Sequence, residues 1–90
     1  MANIKSAKKR ARQNEKRRMR NRYYKTTARS YVKKARELID AGQLDEAEVA
    51  VVAAARALDT AAGKGIIHKN NASRRKSRLM LHLNKAKAQA

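Results

Sequence analysis

The 90-residue sequence has no cysteine, no proline, three glycines, and only three aromatic and seven acidic residues. Without cysteine, disulfide bonds and thiolate zinc sites are excluded, and a reducing compartment is permitted. No apolar run approaches the ~18 residues that a membrane-spanning helix requires. The opening residues MANIKSAKKR lack the apolar stretch of a secretory signal, so no signal peptide is expected. These absences permit a small cytoplasmic protein, and no membrane partner is expected.

The scarcity of helix-breaking residues predicts an all-α fold. The glycines lie at only two places, Gly42 and the Gly63–Gly65 pair, and the remainder is rich in Ala, Lys, Arg, Glu and Leu. Because glycine commonly ends a helix, the sequence predicts three helices, at residues 4–40, 44–62 and 66–86. The two short links require antiparallel neighbours. We therefore expect an antiparallel three-helix bundle with a long, projecting basic first helix.

Apolar residues recur at three- and four-residue steps and predict the buried face of each helix. For helix 1 these residues are Tyr24, Ala28, Tyr31, Val32, Ala35, Leu38 and Ile39. For helix 2 they are Leu44, Ala47, Val51, Ala54, Ala55, Leu58, Ala61 and Ala62. Helix 3 has a broader face made of Ile66, Ala72, Ser73, Ser77, Leu79, Met80, Leu81, Leu83 and Ala86. The many alanines predict close helix packing and a thin core.

Acidic residues are almost absent from the first part of the chain, where basic residues are concentrated. Residues 1–36 contain fifteen Lys and Arg side chains and one acid, Glu15, and no apolar stripe interrupts the first eighteen residues. Such a segment repels itself and buries nothing, so it is ordered only against dense counter-charge. We therefore divide a single domain into a basic arm at 1–22, a bundle at 23–86 and a tail at 87–90.

The remaining charges are also segregated along the chain. Residues 37–63 have a net charge of −5, whereas residues 64–90 have a net charge of +8 and no acid. On helix 3, an arc of about 100° opposite the predicted core holds four basic side chains, Arg74, Arg75, Arg78 and Lys85. The total net charge of +17 exceeds what solubility needs and indicates a polyanionic partner. Neutralised phosphates release counterions, so a nucleic-acid backbone fits this charge.

Candidate contact residues follow from this charge pattern. Arginine favours bidentate phosphate contacts, and His68 beside Lys69 and Asn70 suits a hydrogen bond to phosphate. Tyr23 lies off the core face, where it either stacks on a base or sugar or simply occupies the bundle edge. The complete candidate set is Lys5, Lys8, Lys9, Arg10, Arg12, Lys16, Arg17, Arg18, Arg20, Arg22, Tyr23, Lys64, His68, Lys69, Asn70, Arg74, Arg75, Lys76 and Arg78.

The sequence offers no set of residues for catalysis. His68 and His82, the only histidines, are fourteen residues apart and have no cysteine to complete a metal site. The serines have no base at a helix-compatible spacing, and no acidic pair lies in an apolar setting. We therefore expect a protein that is not an enzyme and needs no metal, cofactor or small-molecule substrate.

Two long segments carry a family resemblance. MANIKSAKKRARQNEKRRMRNR and GKGIIHKNNASRRKSRL closely resemble the opening and closing signatures of the bacterial small-ribosomal-subunit protein S20 family. The resemblance covers essentially the full chain and implies a three-helix bundle with a long first helix. It also implies a structural protein of the 30S subunit that binds 16S rRNA directly, in the 5′ domain and near the long helix of the 3′ minor domain.

The resemblance, rather than composition, separates RNA from DNA. Composition alone indicates a helical, nucleic-acid-binding protein, and a DNA-compacting protein remains the alternative. A helix charged on all sides suits insertion between several packed RNA helices better than contact with one duplex groove. On the ribosomal interpretation the protein stabilises packed rRNA helices during assembly, and we do not expect it to homo-oligomerise.

Overall fold

The computed structural model describes residues 2–90, which form three helices and no strand. Helix α1 comprises Ala2–Asp40, α2 comprises Leu44–Gly63 and α3 comprises Lys69–Gln89. All three helices pack against one another, and α3 packs more extensively on α2 than on α1. The predicted all-α bundle is confirmed. Met1, the first residue of the predicted arm, lies outside the described residues.

The first helix ends where glycine allows a left-handed residue. Gly42 has φ of +79° and no atom that an added Cβ would meet within 4 Å. Its amide donates to the carbonyl of Ile39 at 3.1 Å, and the next amide, of Gln43, donates to Leu38 at 3.0 Å. This pair of bonds is the Schellman motif, which satisfies the last carbonyls of a helix and reverses the chain. The prediction that Gly42 ends helix 1 is confirmed.

The second turn uses the same motif and shifts the start of α3 by three residues. Gly65 has φ of +74°, and the amide of Ile66 donates to the carbonyl of Ala61 at 2.9 Å. This closure takes Ile66 out of helical geometry, so the predicted start at residue 66 is wrong. Instead, His68 is extended and caps α3, with Nδ1 accepting from the amide of Asn70 at 3.1 Å. At the other end, α3 runs three residues beyond the predicted limit of 86, to Gln89.

The core is thin and alanine-rich, as the sequence predicts. Its buried side chains form two adjoining clusters, one around Leu79 and the other around Leu58. Alanine supplies most of the buried positions: Ala28, Ala35, Ala47, Ala54, Ala61 and Ala72. Small side chains let helix backbones approach closely while burying little apolar area. The bundle therefore depends on a few large side chains for much of its hydrophobic stabilisation.

Several residues predicted to be buried are exposed. Tyr31 is 43% exposed and lies at the rim, about 40–60° around α1 from the buried alanines at 28 and 35. On α3, Met80 and Leu81 are more than half exposed. Ser73 and Ser77 are exposed as well, so only a narrow stripe of α3 is buried. The broad core face predicted for helix 3 is therefore wrong.

The arm extends beyond the bundle. At about 1.5 Å per residue, α1 is nearly twice as long as α2 or α3, and the molecule measures 68 × 21 × 14 Å. Every side chain from Ile4 to Arg20 is exposed. The first turns of α1 are thus supported only by bonds within the helix, which confirms the predicted projection.

Candidate nucleic-acid interface

The arm presents a high density of cations with little internal neutralisation. Its basic side chains are exposed and point to all sides of α1 because they occur at irregular one- to four-residue steps. Arg18 approaches Glu15 at 3.8 Å, a long contact between two exposed groups. The chain has 24 Lys and Arg side chains. Within residues 2–90, only three of them approach a carboxylate within 4 Å: Arg18, Lys76 and Lys87.

A groove between α1 and α3 continues this positive surface onto the bundle. Lys25 and Arg29 of α1 line the groove opposite Arg75 of α3, with His68 and Asn71 at its end, around a volume of about 360 Å³. Both elements therefore direct cations to the same place. A phosphate in this groove would meet donors from two helices at once, which favours charge-assisted hydrogen bonds.

The groove joins the arm without a break. Lys25 and Arg29 also border an open space of about 640 Å³ between side chains of α1 alone, together with Arg18 and Arg22 of the arm. These four positions repeat at three- and four-residue steps and so lie along one side of α1. The predicted contact set omitted Lys25 and Arg29, because it ended the basic arm at residue 22. Their shared helical face with Arg18 and Arg22 was the signal available in the sequence.

The basic flank of α3 is exposed, as the arc of arginines predicts. Arg74, Arg75 and Arg78 are all exposed, and Arg75 is the member that lines the groove. His68 stands at the start of this flank, where its Nδ1 is occupied by the helix cap. Only its Nε2 is left to contact a ligand. The flank is held by the bundle, so its side chains are presented on a fixed backbone.

Two predicted contacts are engaged within the bundle. Lys76 lies on the opposite edge of the α3 core face from Arg75, and its Nζ is 2.7 Å from Oδ1 of Asp59 on α2. The ammonium of Lys64 lies 5.0 Å from the centroid of the Tyr24 ring, a cation–π distance. The structure therefore does not bring these two lysines into the α1–α3 groove.

Negative charge surrounds the turn at the far end of the bundle. The acids there are Glu37, Asp40, Asp45, Glu46 and Glu48, all exposed, and we call them the acidic cap. Asp40 contacts His82 through Oδ1 and Nε2 at 2.9 Å, which ties α1 to α3. Glu48 pairs with Lys87 of α3. Neither contact could be read from the sequence, because each partner lies on a different helix.

Among the residues that the structure describes, no group of three His, Cys, Asp or Glu side chains could hold a metal ion. None of the helices found between residues 2 and 90 is both long and apolar enough to cross a membrane.

Comparison with known proteins decides the family. Residues 2–84 match the family model described as Ribosomal protein S20. The chain belongs to this family. The matched range includes the arm, both glycine turns and the α1–α3 groove. The family is structural and non-enzymatic, in agreement with the absence of a catalytic set in the sequence.

Individual relatives extend the match over nearly the whole chain. A small ribosomal subunit protein bS20 from Thermomicrobium roseum is 52% identical over 93% of this chain and 85% of its own length. The protein of that name from Mycobacterium sp. (strain JLS) is 53% identical over 94% of this chain and 99% of its own length. The bS20 of Clostridium kluyveri is 48% identical over 98% of this chain and its own full length.

Proposed function

We propose that the protein binds 16S rRNA directly and stabilises packed rRNA helices during assembly of the small ribosomal subunit. Its family gives it a structural role in that subunit. The contact residues would be those of the arm and of the α3 flank, joined through the α1–α3 groove. The protein would act within the 30S particle, because its relatives are named as proteins of the small ribosomal subunit.

The observation that carries this proposal is the convergence of cations from two helices. Lys25, Arg29 and Arg75 line one groove, and that groove is continuous with the exposed arm. No carboxylate lies within 4 Å of any of these three side chains in the described part of the chain. Like charges held together in this way repel one another, so an anionic partner would relieve the repulsion and release its own counterions.

The distribution of charge over the protein supports a partner in which RNA surrounds the arm on several sides. The arm is exposed around its whole circumference, so its cations can reach phosphates of more than one strand or helix. The acidic cap lies at the opposite end of the bundle, where like-charge repulsion would keep it away from the backbone. The protein would thus be oriented with its arm inserted among rRNA helices and its cap facing outward.

Binding measurements on two nucleic acids test this proposal. A fragment of the 16S rRNA 5′ domain and a DNA duplex of equal phosphate count would be titrated with the protein at matched salt. We expect tighter binding to the rRNA fragment, since the arm and groove would contact several packed helices at once. Equal or tighter binding to the DNA duplex would instead support the DNA-compacting alternative.

A matched pair of arginine variants tests the groove itself. Arg29→Ala removes a groove cation, whereas Arg56→Ala removes an exposed arginine from α2, outside the groove. A hydrogen bond to a charged group contributes about 1.5 kcal/mol or more, so Arg29→Ala should weaken rRNA binding about tenfold. Arg56→Ala should change it less than about twofold. Equal effects would show that only net charge matters and that the groove is not a contact site.

A further inference from the structure

An exposed apolar stripe runs along α1 on the side away from the α1–α3 groove. Met19 and Tyr23 are each 65% exposed, and Tyr31 is 43% exposed. These residues follow one another at steps of four and eight, so they lie along one side of the helix. At about 100° per residue, Tyr23 is about 160° around α1 from Lys25 of the groove. The centre of the stripe and the α1–α3 groove therefore lie on different sides of α1, and the basic surface meets the stripe at Arg22, which lines both.

Folding does not explain this stripe. The core of α1 is made by Ala28, Ala35 and Ile39, which are buried, whereas the side chains of the stripe are only partly covered within the chain. Exposed apolar patches on a soluble protein commonly mark an interaction surface. The stripe borders an open groove of about 620 Å³ that lies between side chains of α1 alone, so no second helix covers it.

The polar residues around the stripe identify the kind of ligand. Arg22 and Lys34 line the same groove as the tyrosines, and Ser30 adds a hydroxyl between them. No acid lines this groove. The site therefore combines aromatic faces with cations, a combination that stacks on nucleobases and contacts phosphate or ribose. An uncharged apolar peptide would leave these cations without a partner.

The tyrosine at the centre of the stripe is held in place by its neighbours. The rings of Tyr23 and Tyr24 meet edge to face, with centroids 5.3 Å apart and an interplanar angle of 81°. Lys64 lies over the Tyr24 ring in turn. A ring that is already oriented loses less rotamer freedom when it stacks on a ligand.

We propose that the stripe formed by Met19, Tyr23 and Tyr31 binds unpaired nucleotides of RNA by base stacking. This inference rests on the proposed rRNA-binding function and adds a second face to it. Bases within a duplex have their faces covered by neighbours, so only unpaired bases offer a surface for the tyrosines. Helix α1 would then lie between a phosphate backbone in the α1–α3 groove and an unpaired segment on the stripe.

Two RNAs that differ only in pairing test this inference on the full chain. One is a fully paired RNA duplex, and the other is the same duplex with an internal loop of unpaired adenines. We expect Tyr23→Ala to weaken binding to the looped RNA by about fivefold or more, the range typical of a lost base–aromatic stack. Binding to the paired duplex should stay within about twofold. Tyr23→Phe keeps the ring and should bind both RNAs like the wild type.

Controls separate stacking from general effects. Val49→Ala shortens an exposed apolar side chain on α2, outside the groove, and should leave both affinities unchanged. Because Tyr23 is exposed, the Ala variant should keep the helical circular dichroism of the wild type. Equal losses on both RNAs, or no loss on the looped RNA, would overturn the inference alone. If the wild-type protein bound neither of these RNAs but still bound the 16S rRNA 5′-domain fragment, the stacking inference alone would fail. Absence of binding to that fragment as well would overturn the proposed function.

Discussion

The α3 flank should contribute more to rRNA affinity than an equal number of arginines in the arm. The comparison uses the double variant Arg75→Ala/Arg78→Ala and the double variant Arg10→Ala/Arg12→Ala, which are matched in residue type and charge. All four side chains are exposed, so neither variant removes a core contact. The two pairs differ in the support of their backbone, because α3 is held by the bundle and the arm is not.

The expected magnitudes follow from that difference. Two charge-assisted hydrogen bonds contribute about 3 kcal/mol together, so losing the α3 pair should weaken binding about 150-fold. The arm is supported only by bonds within its own helix, so wherever it frays in the free protein, each residue fixed on binding costs about 1–2 kcal/mol of conformational entropy, which offsets most of each contact. The arm pair should therefore cost less than about tenfold.

The assay is a filter-binding or fluorescence titration of the 16S rRNA 5′-domain fragment at one fixed salt concentration. Circular dichroism would first establish that both double variants keep the bundle. Arg56→Ala serves as the control for loss of charge outside the groove and should stay near wild type. An equal or larger loss from the arm pair would refute the reasoning, because it would show that charge density outweighs a preorganised backbone.

Three further predictions concern the free protein. Amides of residues 10–16 should exchange rapidly with solvent, because every side chain from Ile4 to Arg20 is exposed; strong protection would contradict this. In a denaturation experiment, Gly42→Ala should lower the free energy of unfolding by about 1–2 kcal/mol, because the backbone at Gly42 has φ of +79°. The control, Gly63→Ala, should be neutral or stabilising, because Gly63 has no positive φ and an added Cβ would meet no atom within 4 Å. Leu58→Ala should cost about 2–5 kcal/mol, since Leu58 is fully buried, and Leu81→Ala on the exposed face of α3 should cost far less.

The number of helices and the segregation of charge along the chain could be predicted from the sequence, because local composition determines both. Glycine is the only residue that enters the left-handed region at little cost, so Gly42 located the first turn. The predicted start of α3 is wrong because the prediction began the helix directly after Gly65, at the apolar residues Ile66 and Ile67. The backbone hydrogen bonds of the Schellman motif around Gly65 keep both isoleucines out of the helix.

The site was only partly predictable, because its geometry depends on how helices pack. Local charge density pointed to the arm and to the arginines of α3. The groove requires Lys25 and Arg29 to face Arg75 across two helices, which no single-helix pattern specifies. Packing also decided that Lys76 pairs with Asp59, because the two residues lie on adjacent helices.

The salt dependence of rRNA binding tests most directly whether unpaired cations of this protein contact an RNA backbone. If about eight phosphates are engaged, the affinity for the 16S rRNA 5′-domain fragment should fall with a log–log slope near −7, at about 0.9 per contact. Such a slope requires the arm and the α3 flank to act together. A slope shallower than about −2 would mean that these basic residues face solvent in the complex, and it would contradict the account.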